Sequence, residues 1–292
     1  MTTDRLAKAC ETHSKSEIAY CLSFMDSIYE RTCALARAVQ DSRLDVVRVL
    51  YDDARPDDKD GCLRAILFES CKSGNRVIIE YALARTEELR ALGTKVYSAL
   101  FSAFKGACYN GQLALVREMY DHCEGDDEHE TATRASQGFM IAIETWNEEL
   151  MKFFETHGTF NREGCFVGAI PGMIRAGNLA RINRAMREAG EIYYGDLASW
   201  ARIAIACGNV PILSRFLQCA RGGRPTVPFT PETRARFDRE LAKIVSEAIS
   251  VTCSWKAWDV RALACTLRSL GLRANAADLS DQNMQIARDL GV

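Results

Sequence analysis

Apolar residues recur along this chain at helical spacing, in two runs per unit with a turn residue between them. Each unit places a turn residue four positions after a small residue, then an apolar pair four and five positions beyond the turn. Ala38–Leu50 reads AVQDSRLDVVRVL, Ser70–Ala82 reads SCKSGNRVIIEYA and Ala107–Met119 reads ACYNGQLALVREM. Ala142–Phe154 reads AIETWNEELMKFF, Met173–Ala185 reads MIRAGNLARINRA (with Met at the small position) and Ala204–Phe216 reads AIACGNVPILSRF. The turns fall on Ser42, Gly74, Gly111, Trp146, Gly177 and Gly208, at intervals of 32, 37, 35, 31 and 31 residues. Five residues after each turn stand Val47, Ile79, Val116, Met151, Ile182 and Leu213, all apolar. Eight after stand Leu50, Ala82, Met119, Phe154, Ala185 and Phe216. Two weaker units extend the series: Ala9–Cys21 with its turn at His13, and Val251–Leu263 with its turn at Trp255, 47 residues after Gly208.

This pattern predicts two helices per unit. In the third, Leu100, Phe101, Phe104, Ala107 and Cys108 share one face before Gly111, and Leu113, Leu115, Val116 and Met119 share one after it. Glycine supplies the left-handed backbone that ends the first helix and reverses the chain. The small residue lets the first helix approach its neighbour. One pair cannot bury both apolar faces, so the pairs must stack. The predicted fold is all-α: a solenoid of six to eight antiparallel helix pairs forming a single repeat domain over 1–292. Within it, 1–30 form an N-terminal capping repeat and 31–218 six central repeats. An insertion loop occupies 219–240, and 241–292 a C-terminal repeat and capping helix.

The small residues before a Gly-Asn or Gly-Gln turn, the apolar pair after it and the spacing near 33 residues resemble the ankyrin-repeat family. The resemblance covers about residues 9–217 and extends toward 267. Gly158 falls twelve residues past Trp146, where that family ends its second helix, and Gly190 lies thirteen past Gly177. Such degenerate arrays are similar to those of large DNA viruses. The family's Thr-Pro-Leu-His opening is missing from every unit, so its hairpins are expected to be lost or replaced by longer loops. Tetratricopeptide units would need a Trp-Leu-Gly-Tyr signature, and HEAT units run longer. The resemblance implies a groove faced by residues one, two and five before each turn. Here these include Arg37, Gln40, Asp41, Glu69, Lys72, Tyr109, Asn110, Glu144 and Arg175. Their mixed signs suit a mixed-charge protein surface, with Tyr109 the best single anchor.

Charge changes this picture little. Lys and Arg total 37 against 39 Asp and Glu, so nothing in the balance calls for nucleic acid or an acidic membrane as partner. The twelve cysteines contain no CxxC pair, and Cys33, Cys71, Cys108, Cys207 and Cys265 fall in apolar helical windows, where Cys packs as a small hydrophobe. No signal peptide or membrane span is expected, and free thiols point to a reducing intracellular compartment, cytoplasm or nucleus.

Candidate chemistry reduces to structural readings. Cys10 with His13, and His122, Cys123 and His129, do not supply the two close ligand pairs of structural zinc. No motif ties a cysteine to a histidine, and His157 before Gly158 reads as a helix-end histidine meeting the last carbonyls. The acidic loop 121–130, with six carboxylates, lacks the spacing of a calcium loop. Gly222-Gly223 lacks the strand-to-helix context of a phosphate loop. Arg221, Arg224, Arg234, Arg236 and Arg239, interleaved with Phe229 and Phe237, read as an exposed linker. Trp146, Trp200, Trp255 and Trp258 read as packing. The expected function is therefore non-enzymatic binding of another protein, with no cofactor, metal or small-molecule substrate. The alternative is a structural subunit of a larger assembly, such as a viral particle component.

Overall fold

A computed structural model describes residues 15–23, 27–94, 96–123, 128–190 and 192–220, with isolated positions at 5, 8, 9, 12, 243, 265 and 268. The expected turns at His13 and Trp255, nearly all of the 219–240 insertion and the C-terminal capping helix lie outside the described residues.

Among the described residues the regular structure is entirely helical, and no helix is long and apolar enough to cross a membrane. The chain divides into two compact units, Met1–Phe160 and Asn161–Val292. The first contains α1 (Lys15–Leu22), α2 (Ile28–Gln40), α3 (Leu44–Asp52), a 3-10 turn at Pro56–Asp58 and α4 (Lys59–Ser73). It continues through α5 (Arg76–Ala91), α6 (Tyr97–Asn110), α7 (Leu113–His122), α8 (Glu128–Thr145) and α9 (Glu148–His157). The second contains α10 (Arg162–Arg175), α11 (Leu179–Glu188), α12 (Tyr194–Ala206) and α13 (Val210–Ala220). Helix α13 thus runs two residues into the expected insertion.

The helices pack in series. In the first unit α2 lies against α4, α4 against α6 and α6 against α8, and each also packs on the helix that follows it across its turn. In the second, α10 packs on α11 and α12, and α12 on α13.

The turns explain how this order arises. Ser42, Gly74, Gly111, Trp146, Gly177 and Gly208 all have positive φ, from 55° to 81°. Ser42 and Trp146 adopt it without being glycine. After five of these turns the next backbone N–H reaches back to the small residue's carbonyl: Arg43 to Ala38, Asn75 to Ser70, Asn147 to Ala142, Asn178 to Met173 and Asn209 to Ala204, at 2.8–3.0 Å. That bond closes a Schellman-type helix end. The asparagine side chains then cap the following helix, accepting from the N–H of Ile78, Leu150, Arg181 and Ile212 at 3.0–3.3 Å. One residue therefore ends one helix and starts another.

Packing follows the sequence pattern. Of the positions five and eight after the turns, all are buried except Met151, which is half-buried while its neighbour Leu150 is fully buried. Phe104, Tyr120, Phe153 and Phe154 form an aromatic cluster, with Phe104 edge-on to Phe154 at 5.9 Å. Trp200 packs on Phe216 in the second unit, and Trp146 is half-buried at its turn. The close approach of α6 to α4 is made at Gly106, one residue before the expected small position: a Cβ there would lie 2.2 Å from the Phe68 carbonyl oxygen.

One expectation, that the cysteines in apolar windows are buried, needs correction. Cys71 and Cys108 are buried as expected, but Cys33, Cys207 and Cys265 are exposed. Cys33 falls between the core-facing residues Arg31, Ala34 and Leu35 of α2, and Cys207 is the cap residue just before the Gly208 turn. Gly158 ends α9 as expected, in ordinary extended backbone with φ −154°. Its value is volume, since a Cβ there would lie 2.3 Å from the Ala135 methyl. Gly190 does take the left-handed form, φ 64°.

Candidate functional site

A helix packed on both sides keeps one stripe clear of its neighbours. For α2, α4, α6 and α8 that stripe ends at the turns, where the positions two before the turn carry Gln40, Lys72, Tyr109 and Glu144. Gln40, Lys72 and Tyr109 are exposed and Glu144 is half-buried. Arg37 and Asp41 are also exposed, Glu69 and Asn110 half-buried.

Most of these residues are joined from one helix to the next. Gln40 donates to Glu69 at 3.3 Å, Asn110 donates to the Lys72 carbonyl at 3.2 Å, and the Tyr109 hydroxyl donates to Glu144 at 2.9 Å. The Tyr109 ring meets Phe68 edge-on at 6.0 Å. Arg37 pairs with Asp41 on its own helix at 2.9 Å. The expected row is thus brought together along α2, α4, α6 and α8. Arg175 belongs to the second unit, where it is exposed at the end of α10. The position five before the turn is not uniformly open: Arg37 and Glu69 reach the surface there, whereas Gly106 and Ile141 are buried.

Sequence reasoning stopped short of the deeper part of this face. A surface depression of about 560 Å³ is lined by Ile28, Tyr29, Thr32 and Ala36 of α2, by Gly61, Arg64, Ala65, Phe68 and Glu69 of α4, and by Ser102 of α6. Except for Glu69, these lie six to fourteen residues before their turns, on the same stripe continued toward the helix N-termini. The signal was present as helical spacing from the mapped positions. A capping box sets the start of α2: Ser27 accepts from the Glu30 N–H at 3.1 Å and Glu30 accepts from the Ser27 N–H at 3.4 Å. That places Ile28 and Tyr29 in the first turn, with Tyr29 74% exposed.

The electrostatics of the face are uneven. Asp60 pairs with Arg64 at 3.3 Å and accepts from Ser98 at 3.0 Å. The Lys72 and Lys105 ammonium groups instead lie over the rings of Phe68 and Phe101, at 5.6 and 5.2 Å. Aromatic faces attract such cations and also receive their methylene stems.

Elsewhere several groups suited to chemistry are drawn into structure. Burial pushes the Cys62 thiol up to about 11 and the Cys71 and Cys123 thiols up to about 12, so the nucleophilic thiolate is disfavoured near neutral pH. A second depression, of about 300 Å³, holds His122 and Cys123 beside Arg90 and Tyr97. The side chain of His129 lies outside the described residues, and among those described no three His, Cys, Asp or Glu side chains converge as metal ligands. His157 has its ring nitrogen Nδ1 at 2.8 Å from the Phe153 carbonyl, the helix-end contact expected of it. The chain matches no protein-family model, and no curated protein matches it in sequence.

Proposed function

We propose that this chain is a degenerate ankyrin-like array whose helix pairs form a solenoid, and that it binds a partner protein through the face shared by α2, α4, α6 and α8 and through its loops. One observation carries the reading. The chain leaves a partly apolar face with a depression that Tyr29 and Phe68 line, and the exposed Tyr109 packs edge-on against Phe68. Exposed aromatics gathered around a depression are what partner anchors use. The six positive-φ turns at intervals of 31–37 residues support the repeat reading. The absence of strands among the described residues is the form expected of units without the family's opening tetrapeptide. A groove built of stacked helices needs no catalytic group.

The test is quantitative affinity capture from the cell of origin, with the full chain and with a Tyr29→Ala/Tyr109→Ala variant of unchanged helicity. A stoichiometric protein captured by the first and lost from the second supports the reading. A partner held equally by both moves the site off this face. Capture of no saturable partner removes the function. Purified chain that instead assembled into large particles by light scattering would favour the structural-subunit alternative.

A further inference from the structure

We infer that the groove across α2, α4 and α6 takes an acidic peptide segment of the partner, anchored by one large apolar side chain. This rests on the protein-binding reading above and names the chemistry of what is bound.

The shape argues for the anchor. Ala36, Gly61 and Ala65 line the groove with side chains no larger than a methyl group, beside the larger Ile28 and Phe68. A volume of about 560 Å³ among such small side chains admits a bulky aliphatic or aromatic side chain. Tyr29, 74% exposed at the rim, offers a ring that an anchor would cover.

The charges argue for the acidic flank. Arg37 is matched by Asp41, and Arg64 by Asp60. Apart from Lys59, which lies over the Tyr51 ring of α3, what remains along α2, α4 and α6 is Lys72 and Lys105 against Glu30 and Glu69. Both carboxylates are already hydrogen-bonded, Glu30 accepting from the Ser27 N–H and hydroxyl and Glu69 from Gln40. Neither lysine has a carboxylate within ion-pair distance among the described residues, and each ammonium lies over an aromatic ring. An incoming carboxylate therefore finds two cations without ion-pair partners on a partly apolar surface, where screening by water is reduced. A basic segment would meet both lysines and only carboxylates that already accept hydrogen bonds, Glu30 and Glu69. Complementarity of this kind sets which partner is accepted.

A displayed library of random linear peptides, selected on the full chain, tests this. The expected consensus combines Asp or Glu with a nearby Leu, Phe or Trp. Anisotropy titration of a labelled consensus peptide should show affinity falling about ten-fold on Lys72→Glu with Lys105→Glu, and falling as salt is raised. Tyr29→Ala should weaken binding about thirty-fold, since it removes an anchor contact. All three substituted side chains are at least partly exposed, so the circular dichroism melts should stay unchanged. Enrichment of basic or purely apolar peptides, or binding indifferent to the lysine substitutions, would overturn the acidic assignment while leaving protein binding intact. A chain that self-associates, with the mass falling on Tyr29→Ala, would make a second copy the occupant and equally overturn it. A library that enriches nothing overturns the peptide assignment, and with an empty affinity capture it counts against the binding reading too.

Discussion

The row of turns and the seam between α4 and α6 both depend on glycine, but for opposite reasons. At the turns the backbone is constant and the side chain varies. Four turns use glycine, one uses Ser42 and one Trp146, all at positive φ. At the seam the side chain must be absent: a Cβ on Gly106 would lie 2.2 Å from the Phe68 carbonyl oxygen and 3.1 Å from the Cys71 Cβ. Gly138 is a second such place, with a Cβ falling 2.3 Å from Cζ of the buried Phe154. A conformational preference is a soft requirement, about 1–2 kcal/mol for an L-residue in the left-handed region, and capping bonds can offset it. Excluded volume against a neighbouring backbone is hard, because a well-packed interior cannot yield locally.

Three substitutions rank these requirements. Gly106→Ala should be the most damaging, about 2–3 kcal/mol, because α6 must move off α4 to admit the methyl group. Urea unfolding followed by circular dichroism measures this, and a loss below the cost of an ordinary turn substitution would mean that the helices are not in contact there. Gly111→Ala should cost about 1–2 kcal/mol, from φ +81° alone. Its Cβ meets only the end of the Asn147 amide at 3.0 Å, which can shift. Ser42→Gly should have the smallest effect and the opposite sign, stabilising by up to about 1 kcal/mol as the left-handed strain is relieved. It gives up the 3.1 Å bond that the Ser42 hydroxyl accepts from Asn75. A clear loss of stability on Ser42→Gly would show that this bond between neighbouring turns outweighs the strain.

The turns were legible because their requirement is local. A left-handed residue between two helical stripes leaves a mark in four glycines and a following Asn or Gln, and the apolar spacing identified Ser42 and Trp146 by alignment with them. The core positions were legible for the same reason of period. The seam was read one residue off, at Ala107 rather than Gly106, because helix rotation about its axis is set by the neighbour. Burial of charge was not legible either. Arg31 is buried while donating to the Leu50 carbonyl at 3.0 Å and to Asp53, and Arg134 is buried while donating to the Tyr120 carbonyl at 3.2 Å. Each meets a carbonyl in the last turn of α3 or α7, a partner that no sequence pattern names. The exposed Cys33 shows the converse: an apolar window does not say which of its residues turns outward.

For the candidate site the division is similar. Spacing from the turns found Gln40, Lys72, Tyr109 and Glu144, which do form a row, but it also mapped the position five before the turn, where Gly106 and Ile141 are buried. It left out Ile28, Tyr29 and Phe68, whose exposure depends on what the adjacent helix leaves uncovered.

By itself, then, the order of residues along the chain determined which segments are helical, where each helix stops and which stripe of each faces inward. Those properties are carried by periodicity and by backbone conformation within a few residues, and they need no knowledge of a neighbour. The tertiary structure decided how closely α4 and α6 meet, which arginines find carbonyls in the interior and where the groove-lining side chains stand clear of their neighbours. Each of those is a relation between residues tens of positions apart, fixed by packed volume and by the hydrogen bonds that buried polar groups must find.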